Sequence, residues 1–393
     1  MDFTNVKELM NRLTKTGPAG NAIMVTVDGK KVFEHYEGMA DVEAGRPIGP
    51  DTVYRMFSDS KVMTAVAALI LYERGVYLLD DPVAWYLPEF SDLKVAVYED
   101  NGIIETLRPA KNILKVRDCF CHTTGLTYAG KLNMTQQKLL EVQGGLMAKG
   151  PYTLEQFMKA IAQEVPLLYE PGTRFHYGLS IDLLGRLVEV WSGKSLGQFI
   201  KDEITGPLGM EETSFSFKGD QNDRLAAIYN RENGELKRYQ SRADAFYDPR
   251  FICDMGGQGL ISTVGDYSKL ISMLANGGAL DGVRILGRNT IDLMRQNHLT
   301  PQQTQGLHNT LFRWSQLKGH GFGLGVSMIV DPAAAGVYAP NAFGWSGMAG
   351  TKTLADPANK LAIVYAHQCL PNDKNLDWYV HPRIVNAVYA ALD

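Results

Sequence analysis

Apolar residues recur at helical spacing from the start of the chain. Phe3, Val6, Met10 and Leu13 mark one face before Gly17-Pro18, which predicts an amphipathic helix over residues 4–15 resting on a sheet. Two β-rich runs follow, Ala22 to Thr26 and Lys31 to Tyr36, and the Asp28-Gly29 pair between them predicts a hairpin. Residues 58–74 hold neither proline nor glycine, with Val62, Val66, Leu69 and Ile70 on one apolar face and Gly75 placed to end the run, so a long core helix is predicted to start near Ser58. Thr153-Leu154-Glu155-Gln156 is a capping box ahead of a helix over 157–165, and another helix over 179–191 ends at Ser192-Gly193. Beyond residue 250 the pattern changes: short strands are predicted at 259–262, 321–330, 351–355 and 361–367, with helices at 264–275, 290–296 and 379–392.

Both ends of the chain therefore read as parts of one α+β layer, an antiparallel sheet flanked by helices, separated by a mostly helical insertion. The expected division is a discontinuous sheet domain from 1–57 and 250–393 and a helical domain from 58–249, with a cleft between them. No repeat of fixed period and no low-complexity segment occurs, which removes solenoids and propellers.

Composition narrows the function classes. The 393 residues are 45% hydrophobic and 21% charged, enough apolar material for one or two large cores without disulfide support. Lys and Arg number 39 against 43 Asp and Glu, with no long basic run to track a phosphate backbone, so nucleic acid is not an expected partner. The first residues lack the cationic start and apolar stretch of a signal peptide, and the run from Val62 to Tyr72 is about half of the ~20 residues a membrane helix needs. A cytoplasmic protein without membrane contact is the expectation. The cysteines (Cys119, Cys121, Cys253, Cys369) form no C-x-x-C pair and the histidines show no H-x-H or H-E-x-x-H spacing, so no metal, cofactor or disulfide framework is expected. Self-association into a homo-oligomer is left open.

Three common catalytic signatures are missing: no G-x-S-x-G elbow, no Walker loop, and no G-x-G-x-x-G opening a helix after a strand. Ser-x-x-Lys does occur, at Ser58/Lys61, Ser91/Lys94 and Ser315/Lys318. Only Ser58 follows a β-like run (53–57) and opens a long apolar helix. There i and i+3 share a face, so the hydroxyl and the ammonium can touch, and the helix start offers unpaired N–H groups to an oxyanion. A plain N-cap serine with a solvated lysine one turn on is the other reading of the same residues. Ser91 and Ser315 stand in polar connections with no long helix after them.

Two further segments bear on the choice. Pro171 to Ser180 reads PGTRFHYGLS ahead of an apolar helix, and Phe343 to Gly350 reads FGWSGMAG ahead of a strand ending at Asp356-Pro357. With Ser58-x-x-Lys61, and with HTTGL at 122–126, PLGM at 207–210 and GGQGLIST at 256–263, the order resembles the serine β-lactamase and penicillin-binding-protein superfamily. The likeness runs nearly end to end and is strongest to the class C β-lactamase-like branch, particularly the family VIII carboxylesterases. The resemblance implies a β-lactamase-like fold with Ser58 as nucleophile, Lys61 as its partner and Tyr177 as the tyrosine of Tyr-x-Asn. It also implies an oxyanion hole from the backbone N–H groups of Ser58 and Met348. Two departures stand out: the motif's Asn is Leu179, and the lysine of Lys-Thr-Gly is Trp345. Neither can bind a lactam's amide or carboxylate, so ester hydrolysis moves ahead of lactam hydrolysis. Trp345, Leu179, Tyr128 and Tyr152 are the candidate substrate-binding residues, whereas His122 and His176 read as structural.

A serine hydroxyl needs a proton acceptor. Lowering a tyrosine from ~10 to neutrality takes ~3 units, or roughly 4 kcal/mol, about what one cation at ~4 Å supplies at an effective dielectric of 20. Tyr177 beside a charged Lys61 is thus one base; a desolvated, neutral Lys61 is the other, and the sequence leaves both open. The expected activity is cleavage of a small carboxylic ester with a short acyl chain through an acyl-Ser58 intermediate. Acyl transfer, D-amino peptidase or β-lactamase action at the same site, or a catalytically silent binding module on the same scaffold, are the alternatives.

Overall fold

Strands whose alternate side chains are both apolar need cover on both faces, and that requirement organises this molecule. The computed structural model of the chain describes all residues except 100–103, 242, 243, 245, 246, 248, 249, 309–316, 338, 341, 371–375 and 393. Its main sheet comprises β1 (Gly20–Val27), β2 (Lys30–Asp41), β3 (Arg46–Pro47), β4 (His320–Phe322), β5 (Ser327–Ile329), β6 (Phe343–Gly344), β7 (Lys352–Asp356) and β8 (Leu361–His367). The eight strands are antiparallel in the order β4-β5-β6-β7-β8-β1-β2-β3, so the two ends of the chain meet where β1 pairs with β8, Met24 opposite Val364. The expected α+β class, an antiparallel sheet flanked by helices, holds.

On β1, Ile23 and Val25 face helices α1 (Thr4–Thr16) and α6 (Leu376–Leu392), packing with Val6, Met10, Ile384 and Val388. Ala22 and Met24 face the opposite way, into the larger core that includes α5 (Val264–Ala275). That core also takes in α2 (Ser60–Glu73), α3 (Val116–Cys121) and α4 (Ser180–Ser192). Every residue of α2 from Ser60 to Leu71 is buried, so the helix is enclosed on all sides rather than amphipathic. Each of its large apolar side chains contributes about 1.5–3 kcal/mol by burial. Among the described residues, no helix is long and apolar enough to cross a membrane.

Several predicted elements change in detail. The long helix expected near Ser58 opens with a 3₁₀ turn over Phe57–Asp59, and α2 starts at Ser60. The single strand expected at 321–330 is the hairpin β4–β5, because Gly325 takes φ of +78° and Gly323 donates to the Val326 carbonyl at 2.8 Å, turning the chain midway. The β-like run at 53–57 forms a two-residue strand over Tyr54–Arg55, against Ile261–Ser262, with Val53 bridged in parallel to Leu225. Residues within 58–249 also return to the sheet, where Ala227 donates to the Ala40 carbonyl at 2.8 Å and Tyr229 to that of Gln368 at 3.1 Å.

Candidate active site

Ser58 is presented by a backbone few side chains accept. Phe57, just before it, has φ of +43°, a left-handed conformation uncommon for a bulky residue, held by its apolar packing with Ile228, Ala349 and Leu370. The turn aims Ser58 at Lys61, whose Nζ donates to Ser58 Oγ at 3.2 Å, to Tyr128 Oη at 3.0 Å and to the Gly257 carbonyl at 2.6 Å. Three acceptors match the three hydrogens of an ammonium group. Lys61 is fully buried, and burial pulls it down to about 7, against the opposing pull of Asp182 and then Asp59.

Tyr177 stands on the other side of the nucleophile. Its hydroxyl is hydrogen-bonded with Ser58 and accepts from Trp345 Nε1 at 2.8 Å, and its ring lies 4.7 Å from Lys61 Nζ. Burial pushes its phenol well above the ordinary tyrosine range, only partly offset by the hydrogen bonds with Ser58 and Trp345. The resting site thus favours a neutral tyrosine and an easily deprotonated lysine. Tyr128 meets both: its hydroxyl bonds to Lys61, Tyr177 and Ser58, with its ring edge-on to Tyr177 at 5.7 Å.

The sheet closes the far side. Gly347, in the turn before β7, donates to the Thr351 carbonyl at 2.9 Å, and a Cβ there would sit 2.3 Å from the Met56 carbonyl oxygen. Only glycine permits this approach, which lays the turn carrying Met348 against residues 56–58. The buried Asp59 fastens the same junction. Its Oδ2 accepts from Thr351 Oγ1 at 2.5 Å and its Oδ1 from Thr353 Oγ1 at 2.8 Å, while burial raises its carboxyl to about 6.

The structure sorts the sequence candidates. It brings Ser58, Lys61, Tyr177, Tyr128 and Trp345 into one cluster and sets the Met348 turn beside it. The buried Trp345 spends its indole N–H on Tyr177 and packs edge-on to Phe322 at 5.2 Å, so its polar atom serves the tyrosine rather than an open pocket. Leu179 is buried at the start of α4, and Tyr152 is buried between Phe157 and Phe251, so neither presents an exposed surface to substrate. The buried His122 is structural through packing, not side-chain hydrogen bonds. Neither ring nitrogen has a hydrogen-bond partner among the described residues, and its ring lies 4.6 Å from that of Tyr177. His176 bonds to Thr127 Oγ1 at 3.0 Å, and burial lowers it to about 4. Ser91 and Lys94 are exposed, and Ser315 lies outside the described residues.

Sequence reasoning missed Asp59, Asp182 and the Gly257 carbonyl. The available signal was an acid inside an apolar helical run, Ile181-Asp182-Leu183-Leu184, five residues after the motif tyrosine.

The chain is similar to known proteins along nearly its whole length. The family model described as Beta-lactamase matches residues 5–383. Protein Rv1367c of Mycobacterium tuberculosis is 32% identical over 382 residues, covering 95% of this chain and 91% of that protein. Esterase EstB of Burkholderia gladioli is 26% identical over 370 residues, covering 88% and 84%. Among solved structures, unliganded simvastatin synthase (LovD) from Aspergillus terreus superposes with a TM-score of 0.81 at 22% identity, over 100% of this chain and 99% of that one.

Proposed function

The chain belongs to the Beta-lactamase family, and from that premise we propose that it is a serine hydrolase that cleaves small carboxylic esters with short acyl groups through an acyl-Ser58 intermediate. The observation that carries the reading is the hydrogen-bonded cluster itself: Lys61 Nζ lies 3.2 Å from Ser58 Oγ, and Tyr177, tied to the Trp345 indole, bonds to the same hydroxyl.

The burial of Lys61 and Tyr177 divides the acid–base work between them. Neutral Lys61 takes the Ser58 proton as Oγ attacks the ester carbonyl carbon. The backbone N–H groups of Ser58 and Met348 hold the oxyanion, each such donor contributing about 100- to 1000-fold. As the tetrahedral intermediate collapses, the C–O bond to the alcohol breaks and the departing oxygen takes the Tyr177 proton. Lys61, now an ammonium, restores that proton through Tyr128, whose hydroxyl bonds to both. Water then attacks the acyl-enzyme by the reverse steps. Trp345 and Leu179 stand where the resemblance puts a carboxylate-binding lysine and an amide-binding asparagine, which favours an uncharged ester over a lactam.

A second reading sends the acyl group to an alcohol instead of water. It is favoured by similarity to the ML-236A carboxylate methylbutanoyltransferase mlcH of Penicillium citrinum, 31% identical over 255 residues, and leaves the acyl-enzyme unchanged. Treatment with a fluorophosphonate followed by intact mass spectrometry tests the common step. One adduct is expected on the wild type and none on Ser58→Ala, which should also lose p-nitrophenyl acetate turnover; unchanged turnover in Ser58→Ala refutes the assignment. Product analysis with and without an added alcohol separates hydrolysis from transfer.

A further inference from the structure

Asp182 is a fully buried carboxylate on the apolar helix α4 with no part in the chemistry described so far. Its Oδ1 accepts from the Gly257 N–H at 2.9 Å, and its Oδ2 is buried without a hydrogen-bond partner among the described residues. An asparagine would satisfy the same N–H without burying a charge. A carboxylate kept in such a place, with one oxygen unbonded, calls for a compensating positive charge.

That charge is Lys61. Gly257 stands between them, its N–H bonded to Asp182 and its carbonyl accepting from Lys61 Nζ at 2.6 Å. The fit is close on both sides. A Cβ on Gly257 would lie 2.5 Å from Asp182 Oδ2, and the Gly256 carbonyl is fixed by Thr64 Oγ1 at 2.8 Å. Moving Asp182 therefore moves the carbonyl that holds Lys61. The other ionisable groups facing this pair are Asp59 at the start of α2, Tyr128 and His122 following α3, Tyr177 ahead of α4, and Cys253 ahead of Gly257. Asp59 already has two threonine hydroxyls on its carboxylate, so Asp182 is the less satisfied of the two acids.

We infer that Asp182 is a positioning residue that acts as the fixed counter-charge of Lys61, holding its ammonium group against Gly257 and keeping the amine basic enough to accept the Ser58 proton. The inference rests on the reading of Lys61 as proton acceptor. Without Asp182, Lys61 is a weaker base in an apolar site, since burial alone disfavours its charged form.

The test follows Lys61 directly, by NMR of protein carrying ¹³C-labelled lysine, with the Lys61 Cε signal assigned by its loss in Lys61→Met. In Asp182→Asn the Lys61 titration midpoint should fall by about one to three units, the effect of one close charge. The acid limb of kcat/KM should move down with it and the plateau should drop. Coupling is reciprocal, so in Lys61→Met the Asp182 carboxyl midpoint should rise by a like amount. That second measurement decides the matter if Asp182→Asn does not fold. A Lys61 midpoint unchanged in folded Asp182→Asn, an Asp182 midpoint unchanged in Lys61→Met, or a shifted midpoint with an unshifted acid limb would each overturn the inference. Failure of the hydrolase reading looks different, as a wild-type protein that forms no Ser58 adduct with a fluorophosphonate at any pH.

Discussion

Replacing Trp345 with phenylalanine tests the division of labour between Lys61 and Tyr177. The substitution removes the indole N–H that donates to Tyr177 at 2.8 Å and leaves an aromatic ring near Tyr177 and Phe322, which pack at 5.5 and 5.2 Å in the native protein. In the resting enzyme that bond joins two neutral groups and is worth about 0.5–1.5 kcal/mol; to a forming phenolate it is worth about 1.5–3 kcal/mol. Only the difference, about 1–2 kcal/mol, affects the rate, because catalysis draws on what is stronger in the transition state than in the free enzyme. At ~1.4 kcal/mol per tenfold, kcat/KM for a simple alkyl acetate should fall about 5- to 30-fold. An activated ester such as p-nitrophenyl acetate needs no proton on its leaving oxygen, so its kcat/KM should change less than about threefold. The assay compares the two esters on wild type and variant at one pH, with thermal unfolding confirming that the variant stays folded. An equal loss on both esters refutes the reasoning and assigns Trp345 to packing or substrate contact instead.

Three further outcomes follow from the same geometry. In the proposed mechanism neutral Lys61 accepts the Ser58 proton, so kcat/KM should be low in acid and rise as pH passes through about 7; a profile flat from pH 5 to 8 contradicts that role. Gly257→Ala drives a Cβ to 2.5 Å from Asp182 Oδ2, and the forced shift should cost about 1–3 kcal/mol in denaturant unfolding and lower kcat/KM, since the displaced carbonyl is the Lys61 acceptor. Asp59 has its carboxyl raised to about 6, so its contribution to stability is full below the unfolded value of about 4 and is lost as pH rises through about 6. The stability of Asp59→Asn relative to wild type should therefore improve by up to about 3 kcal/mol between pH 4 and pH 7.5, as read by urea unfolding at each pH; a difference independent of pH counts against the assigned shift.

Local pattern carried much of the fold. The capping box at Thr153 forms as expected, with Gln156 Oε1 accepting from the Thr153 N–H at 2.9 Å, and Gly193 ends α4 in a left-handed conformation. Such features depend on neighbours a few residues away, which is why they are legible in the chain. The expected strand at 321–330 failed for a similar reason inverted: its apolar run outweighed Gly323 and Gly325, and only the hydrogen bonds of the folded turn show that the glycines prevail. In the site, Ser58 and Lys61 share one turn and were readable. Tyr128 was legible only as a side chain near the cleft, because its bond to Lys61 spans 67 positions.

By itself, the sequence determined the family, the antiparallel α+β class and the three motif residues Ser58, Lys61 and Tyr177, since each is written in short segments whose order along the chain is informative. Tertiary structure decided what surrounds those residues. Burial lowers Lys61 and raises Tyr177, Trp345 turns its indole to the tyrosine, and Asp182 reaches Lys61 across Gly257. Desolvation and charge depend on what surrounds a group in space, and those surroundings come from segments 67 to 196 positions away from Lys61.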